Sequence, residues 1–405
     1  MAVGFGAEQA RDYVYLDYAA TTPLCQEAAD AMAAYLVPGR VNLAANANAN
    51  SLHSPGRAAF SALEQARRQI SRDLGAKRAQ EIVFTSGATE ADDAAVLGMA
   101  QAAVDARRRA GSGDFVPRVI VSALEHDAVL KPAKRLEQQG FDVVRLQPNS
   151  RGFVTVEALE AALSPQTVLV SIQMANSELG SVQPVRELCR TAHQAGALFH
   201  TDATQALGKV PLSLQELEVD AASFSAHKIC GPKGVGVLYL KARTPFAPYM
   251  LGGGQEAGLR SGTQNVMGAV AFAAAVHAAV ESLEDESARL RRMRDDLYGR
   301  LAQMRGVRPT VQVEEGSVEY LPNIVHVLVK GVESETLILR LDKQGFGVSG
   351  GSACSSGSLD PSHVLTAMGV PTDAARGALR VSFGRYTTED DLSAFCDALE
   401  RCMRK

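Results

Sequence analysis

The sequence predicts an α/β protein: a large domain with a mostly parallel sheet covered by helices, joined to a smaller α+β domain. Three observations carry this expectation. Short apolar, β-rich runs alternate with amphipathic helical runs as far as about residue 241, the pattern of strands buried on both faces. Beyond residue 265 the pattern changes to a long helical stretch followed by separate strand and helix signals. The length, 405 residues, also exceeds the roughly 250–300 that a single core accommodates.

The elements follow in chain order. "EIVFTS" (81–86) reads as a strand and precedes the helical run "ATEADDAAVLGMAQAAVDARRR" (88–109). "RVIVSA" (118–123) precedes "HDAVLKPAKRLEQQG" (126–140), and "TVLVSIQMA" (167–175) precedes "VRELCRTAHQAG" (185–196). "ALFHTDA" (197–203), "VDAASFS" (219–225) and "VGVLYLK" (235–241) supply three more strands. One long helical stretch is expected over 266–305, then a strand (323–329), a helix (334–344), a strand (378–384) and a final helix (388–403). The division expected is a large domain over 24–264 and a small domain made of 1–23 and 265–405. In a parallel sheet of this kind ligands bind beyond the carboxyl ends of the strands, so the polar residues there are the ones to inspect.

Composition narrows the function classes. Lys and Arg number 41 against 45 Asp and Glu, so the chain lacks the excess of basic residues on which nucleic-acid binding rests. The opening "MAVGFGAEQARDY" has neither a basic nor an apolar segment of a secretory leader. The longest run of small apolar residues, "GAVAFAAAVHAAV" (268–280), falls short of the ~20 residues needed to cross a bilayer. The expectation is a cytoplasmic protein with no membrane and no nucleic-acid partner. Six cysteines (25, 189, 230, 354, 396, 402) form no CxxC pair, which argues against a disulfide framework and against a zinc site.

Three strand ends carry chemistry. Lys228 follows an apolar strand and precedes the glycine-rich "GPKG", with Ser225 and His227 beside it. Asp202 ends another apolar strand, where a carboxylate is costly unless it meets a cation or hydrogen bonds. In "FTSGATEADD" (84–93) a strand passes through Ser-Gly into a helix, so the N–H groups around Ala88 and Thr89 can cradle a phosphate. No GK[ST] of a nucleotide-binding loop is present. A lysine, an aspartate and a phosphate cradle in this order point to pyridoxal 5'-phosphate: the lysine forms the Schiff base, the aspartate keeps the pyridine nitrogen protonated, and the ring becomes an electron sink.

The sequence resembles the cysteine desulfurases, in the class V branch of the fold-type I pyridoxal-phosphate enzymes. The resemblance runs through "YLDYAATTP" (15–23), "SLHSPGR" (51–57), "FTSGATE", "EHDAVL" (125–130), "NSELGSVQP" (176–184), "HTDATQALGK" (200–209), "SFSAHKICGPKGVGVLYL" (223–240), "GGGQEAGLRSGT" (252–263), "GSACSSGSLDPSHVLTAMG" (351–369) and "LRVSFGRYTTEDD" (379–391). It implies that Lys228 holds the cofactor, Asp202 pairs with the pyridine nitrogen, and His126 stacks on the ring. It also implies that Asn176 and Gln205 bond the ring hydroxyl, and that Ala88, Thr89, Ser225 and His227 hold the phosphate, with Thr263 reaching from a second subunit. Arg380 would clamp the substrate carboxylate, a two-pronged bond suited to guanidinium. The substrate implied is L-cysteine, the assembly a homodimer, and the product a persulfide on Cys354 that passes to a sulfur-acceptor protein, for iron–sulfur cluster assembly or thiolation.

Cys354 sits in "VSGGSACSSGSLD" (348–360), where a structural cysteine would find little apolar surface. Glycines at 350, 351 and 357 suit a segment that must collect sulfur at the cofactor and deliver it elsewhere. The other five cysteines read as structural, Cys230 being set apart by its place two residues from Lys228. The chain departs from the family pattern at Ala91 and Asp93 after the cradle, at Asn50 in "NANSLH", and at Ser177 in "NSE". Selenocysteine as substrate and plain transamination are neighbouring readings; the second has no need of Cys354. A serine hydrolase reading rests on the G-x-S-x-G match at 347–351 and lacks the helix that must follow such a serine. A silent binding protein on the same fold would have no reason to keep both Lys228 and Cys354.

Overall fold

The computed structural model describes residues 13–39, 43–111, 113–351 and 362–404. A short strand, β1 (Val14–Tyr15), opens the chain. Seven strands then build the large sheet: β2 (Ile82–Thr85), β3 (Arg118–Ser122), β4 (Asp142–Leu146), β5 (Thr167–Ser171), β6 (Leu198–Asp202), β7 (Ala221–Ser225) and β8 (Gly236–Leu240). Their spatial order is β2-β8-β7-β6-β5-β3-β4. Neighbours from β7 through β4 run parallel, while β8 is antiparallel to both β7 and β2. The expected mostly parallel sheet is therefore present. Strands β5 and β7 are buried at every residue, as their unbroken apolar or small side chains require when helices cover both faces. β4 is largely half-buried, and its "DVVRL" lacks the run of apolar residues that marks the other strands.

Numbering the helices of eight residues or more, α1 (Gln26–Ala33), α2 (Ser54–Asp73), α3 (Ala88–Arg109), α4 (Asp127–Gln138) and α5 (Val185–Gln194) precede the last strands of the large sheet. The long helical stretch expected over 266–305 is two helices, α6 (Val266–Glu281) and α7 (Leu283–Ala302), bent by 70°. The break falls at Ser282, whose hydroxyl donates to the Ala278 carbonyl at 2.7 Å. The two halves serve different cores. Ala269, Phe272 and Val276 of α6 belong to the large core, whereas Leu290, Leu297 and Leu301 of α7 belong to a second core. Helix α6 thus packs with the body that the sequence reading ends at residue 264. The second core is completed by β9 (Val307–Pro309), β10 (Ile324–Val329), α8 (Ser334–Asp342), β11 (Phe346–Gly347), β12 (Ala378–Ser382) and α9 (Glu389–Met403). β12, β10 and β9 form an antiparallel sheet in that order, and β11 pairs in parallel with β1, so the N-terminal strand is built into the smaller body.

Because β8 alone reverses direction, its first residue, Gly236, lies at the edge where β2 and β7 end; it is paired with Thr85 on one side and Ser225 on the other. Asp202 ends β6 at the same edge. No single helix among the described residues is long and apolar enough to cross a membrane.

Candidate active site

The edge is assembled from three strand ends and the loop that follows β1. Lys228 follows β7, and its Nζ donates to the carbonyls of Ala19 and Ala20, at 2.7 Å each. Gln205 follows β6, and its Nε2 donates at 2.9 Å to the same Ala19 carbonyl. His227 accepts or donates at 3.1 Å through Nδ1 with the Thr21 hydroxyl, and its carbonyl accepts from the Thr22 N–H at 3.0 Å. The loop over residues 19–22 therefore gathers Lys228, Gln205 and His227 at one place. Burial, and then the charges of Lys228, Lys233 and Lys209, push the His227 imidazole down to about 4, so it is neutral at physiological pH.

His126 is the N-cap of α4. Its Nδ1 accepts from the Ala128 N–H at 3.1 Å, which assigns the ring proton to Nε2 in the neutral form. Burial lowers its basicity, with the Asp202 carboxylate opposing and the Lys228 ammonium reinforcing that shift, so these three groups share one electrostatic environment. Asn176 lies nearby: its Oδ1 accepts from the N–H of Glu178 at 2.9 Å and of Leu179 at 2.8 Å, and its Nδ2 donates to the Leu124 carbonyl at 3.2 Å. Among the described residues Nδ2 makes this one bond, so its second hydrogen is available to a ligand.

The helix that follows β2 supplies the cradle. Its N-cap, Gly87, offers no side chain to its first-turn N–H groups. Glu90 folds back instead: one oxygen accepts from the Ser86 N–H at 2.7 Å, and its carboxylate pairs with Arg260 at 2.7 Å. This ion pair pins the loop that carries the exposed Thr263 to the base of the cradle. Ser225, buried at the end of β7, stands one strand away across Gly236. Ala88 is half-buried and Thr89 exposed. Asp93, one of the departures from the family pattern, is half-buried; its carboxyl is raised by burial and drawn back by Arg135.

Arg380 lies within β12, opposite His326 of β10. Its side chain is almost fully buried, with Nη2 on Asp17 at 2.7 Å and Nη1 on the Ser177 carbonyl at 3.0 Å. Its Nε is buried without a hydrogen-bond partner among the described residues. The Arg380 backbone pairs with Ser349, so β12 also holds the segment leading toward residue 352. Cys354 lies outside the described residues.

Several groups at this edge escape a reading by motif alone. Asp92 and Glu125 are buried completely, and burial first, then the negative charge of Asp202, pushes both carboxyls up toward the neutral form. His200 stands two residues before Asp202, on the same face of β6, between the hydroxyls of Ser171 at 2.8 Å and Ser223 at 2.9 Å. Burial pushes its imidazole down to about 3. Strand alternation within "HTDATQ" was the signal that could have found it. Glu178 accepts from the Ser362 hydroxyl at 2.6 Å.

Residues 14–395 match the family model described as aminotransferase class-V. A cysteine desulfurase IscS of Dictyoglomus turgidum is 40% identical over 97% of this chain and 95% of its own. A cysteine desulfurase of Cereibacter sphaeroides is 42% identical over 95% of this chain and 94% of its own. The chain belongs to the cysteine desulfurase group of the class-V aminotransferases. Among solved structures, a NifS-like protein superimposes with a TM-score of 0.85 at 36% identity, covering 97% of this chain and 99% of its own. SspA, solved in complex with cysteine, gives 0.76 at 31% identity, covering 93% and 100%.

Cysteine desulfurases work with pyridoxal 5'-phosphate, and the residues at this edge fit that group. Gln205 Oε1 and Thr204 Oγ1 are buried without hydrogen-bond partners among the described residues, an arrangement that costs about 1–3 kcal/mol per group unless a ligand satisfies it. The uncapped start of α3 is open to an anion, and the buried Asp202 carboxylate, which accepts from the Thr204 N–H at 2.9 Å, calls for a cation.

Proposed function

We propose that this cysteine desulfurase takes sulfur from L-cysteine, leaving L-alanine and a persulfide on Cys354 that passes to an acceptor protein. The observation that carries the reading is the Lys228 amine at the sheet edge, sharing one electrostatic environment with Asp202 and His126, at the edge where β2 leads into the uncapped start of α3. Pyridoxal 5'-phosphate, held by Lys228, Asp202, Gln205, Asn176 and the cradle of Ala88, Thr89, Ser225 and His227, supplies the electron sink that makes the substrate Cα–H acidic. The amine of Lys228 accepts that proton and returns one to the substrate. Asp202 would hold a proton at the ring nitrogen, and His126 would lie against the ring with its imidazole neutral. Arg380 binds the substrate carboxylate, with Asp17 orienting its guanidinium. In the sulfur step the Cβ–S bond of L-cysteine breaks, an S–S bond forms to the Cys354 thiolate, and Cβ takes a proton. L-cysteine and one thiol thus give L-alanine and one persulfide.

Incubation with L-cysteine and dithiothreitol, with sulfide and alanine both measured, tests this reading. Cys354→Ser is expected to lose sulfide release by about 10²-fold or more, since hydroxyl cannot replace a thiolate nucleophile. Sulfide release at the wild-type rate would remove Cys354 from the reaction. Asp202→Asn is expected to lower kcat by roughly 10²–10³-fold while the protein stays folded, because the carboxylate that keeps the ring nitrogen protonated, and the ring therefore able to take up negative charge, is lost. Steady-state kinetics beside a denaturation curve separate those two effects.

The reading extends to the assembly. We propose a homodimer in the cytoplasm, divided into two domains that meet near Ser282, with Thr263 of one subunit completing the phosphate site of the other. Thr263 is exposed on the single chain, as are Leu36, Leu52, Phe60 and Leu251, apolar side chains that a partner surface would cover. Sedimentation equilibrium at micromolar concentration measures the dimer directly, and a monomer there would exclude it.

A further inference from the structure

We propose that Lys209 is a positioning residue of this site, tying the Gln205 and Lys228 backbones together and tuning through its own charge the protonation of the cofactor that Lys228 holds. Lys209 closes the motif "HTDATQALGK", at the end of the turn that follows β6. Its Nζ donates to the Gln205 carbonyl at 3.1 Å and to the Lys228 carbonyl at 3.4 Å. Those carbonyls belong to two different strand ends, and the side chains of the same two residues meet again at the Ala19 carbonyl. One buried amine therefore braces, from behind, the pair whose side chains face the ligand.

The surroundings of Lys209 decide its charge. It is only 7% exposed, and no carboxylate among the described residues lies within ion-pair distance. Beside it is a cavity of ≈ 130 Å³ whose lining includes Tyr18, Lys228, Cys230, Glu286 and Arg385. Glu286 is taken by Arg289 at 2.8 Å and Arg385 by Glu27 at 2.6 Å, so neither compensates Lys209. His227 also lies within its field. Burial, helped by the Lys228 charge and opposed by Cys230, pushes the Lys209 amine from 10.5 down to about 7. A neutral amine has two N–H donors, and two carbonyls receive them. When protonated, the group becomes a second cation beside Lys228.

The sign follows from charge repulsion: a fixed positive charge at 209 disfavours protonation at 228, and its removal favours it. The readout is the visible absorption of the holoenzyme against pH, without substrate, for wild type, Lys209→Met and Lys209→Arg. The arginine stays charged at every accessible pH, and the adjoining cavity gives it room. The expected order of titration midpoints is Met at or above wild type and wild type above Arg, with Met and Arg separated by about 0.5–1.5 pH units. Coincident midpoints for the two variants overturn the proposal, since a purely structural brace would not shift them in opposite directions. A second measurement stands if the arginine variant fails to fold. An amine with a depressed value in the native state binds fewer protons than the unfolded chain between pH 7 and 10.5, so wild-type stability rises with pH across that window. Lys209→Met is expected to lose that rise, and a flat wild-type curve overturns the proposal equally. The inference rests on Lys228 holding the cofactor: absence of any protein-bound band in the wild type would refute that reading, whereas a normal band with unmoved midpoints refutes the role of Lys209 alone.

Discussion

Lys228→Ala is expected to abolish turnover of L-cysteine, with a loss of about 10³-fold or more, and to remove the protein-bound absorption band of the cofactor. Two losses combine. The variant has no amine at the edge to hold the ligand covalently, and none to carry the Cα proton, a task worth roughly 10²–10⁴-fold by itself. Lys209 does not substitute, because its Nζ is committed to the carbonyls of Gln205 and Lys228. Folding is affected less. The Lys228 ammonium bonds the Ala19 and Ala20 carbonyls at 2.7 Å each, and leaving those two unpaired costs about 1–3 kcal/mol in total once water or ligand enters. Backbone bonds from Thr22 to His227 and from Cys25 to Cys230 keep the loop in place. Reduction with borohydride followed by peptide mass spectrometry provides the direct check: the label belongs on the peptide with Lys228 and vanishes in the variant. Retention of the label on that peptide, or turnover within tenfold of wild type, would show that a different amine does the work.

The sequence makes the strand ends legible because covered parallel strands are apolar throughout, so a polar residue at their carboxyl ends stands out. Asp202, Ser225 and Lys228 are all of this kind, and all lie at one edge of the sheet. The reading fails where meaning depends on partners distant in sequence. Arg380 meets Asp17 across 363 positions, and nothing near either residue announces the pair. The bend between α6 and α7 is hidden for a related reason: both halves are good helix formers, and only the two cores show that their apolar stripes face different ways. Cys230 takes a left-handed conformation with φ of 64° in the turn after Lys228, a geometry that local propensity gives no reason to expect of cysteine. Lys209 ends "HTDATQALGK", directly after Gly208. A lysine next to glycine reads as a surface residue until its burial is known. Strand β4 shows the converse, since its half-buried "DVVRL" is too polar to advertise itself as part of the same sheet.

Gly236 offers the sharpest test of how the sheet builds the cradle. A Cβ placed there would lie 2.6 Å from the Gly87 carbonyl carbon, 2.6 Å from the Phe224 carbonyl oxygen and 2.7 Å from the Gly87 Cα. All three neighbours are backbone atoms, so no side-chain rotation relieves the overlap. The sheet must give instead, and Gly236 is the residue through which β8 joins the ends of β2 and β7. Room for one methyl group therefore moves Gly87, the N-cap of α3, away from Ser225, and the phosphate cradle opens. Gly236→Ala is expected to destabilise the protein by about 3 kcal/mol, the upper part of the range for overpacking. Cofactor retention after gel filtration should fall with it, and by more than stability alone accounts for. Gly234→Ala, two residues earlier, separates space from backbone conformation. No atom lies within 4 Å of a Cβ there, but the residue has φ of +80°. That substitution is expected to cost only about 1–2 kcal/mol, the usual penalty for a left-handed alanine, and to leave the cofactor bound. Urea denaturation of both variants, each with its cofactor content measured by absorbance, gives the comparison. If Gly236→Ala matches wild type in stability and cofactor content, the close approach of β8 to the start of α3 does not shape the cradle, and the grip on the phosphate must come from the side chains of Thr89, Ser225 and His227 alone.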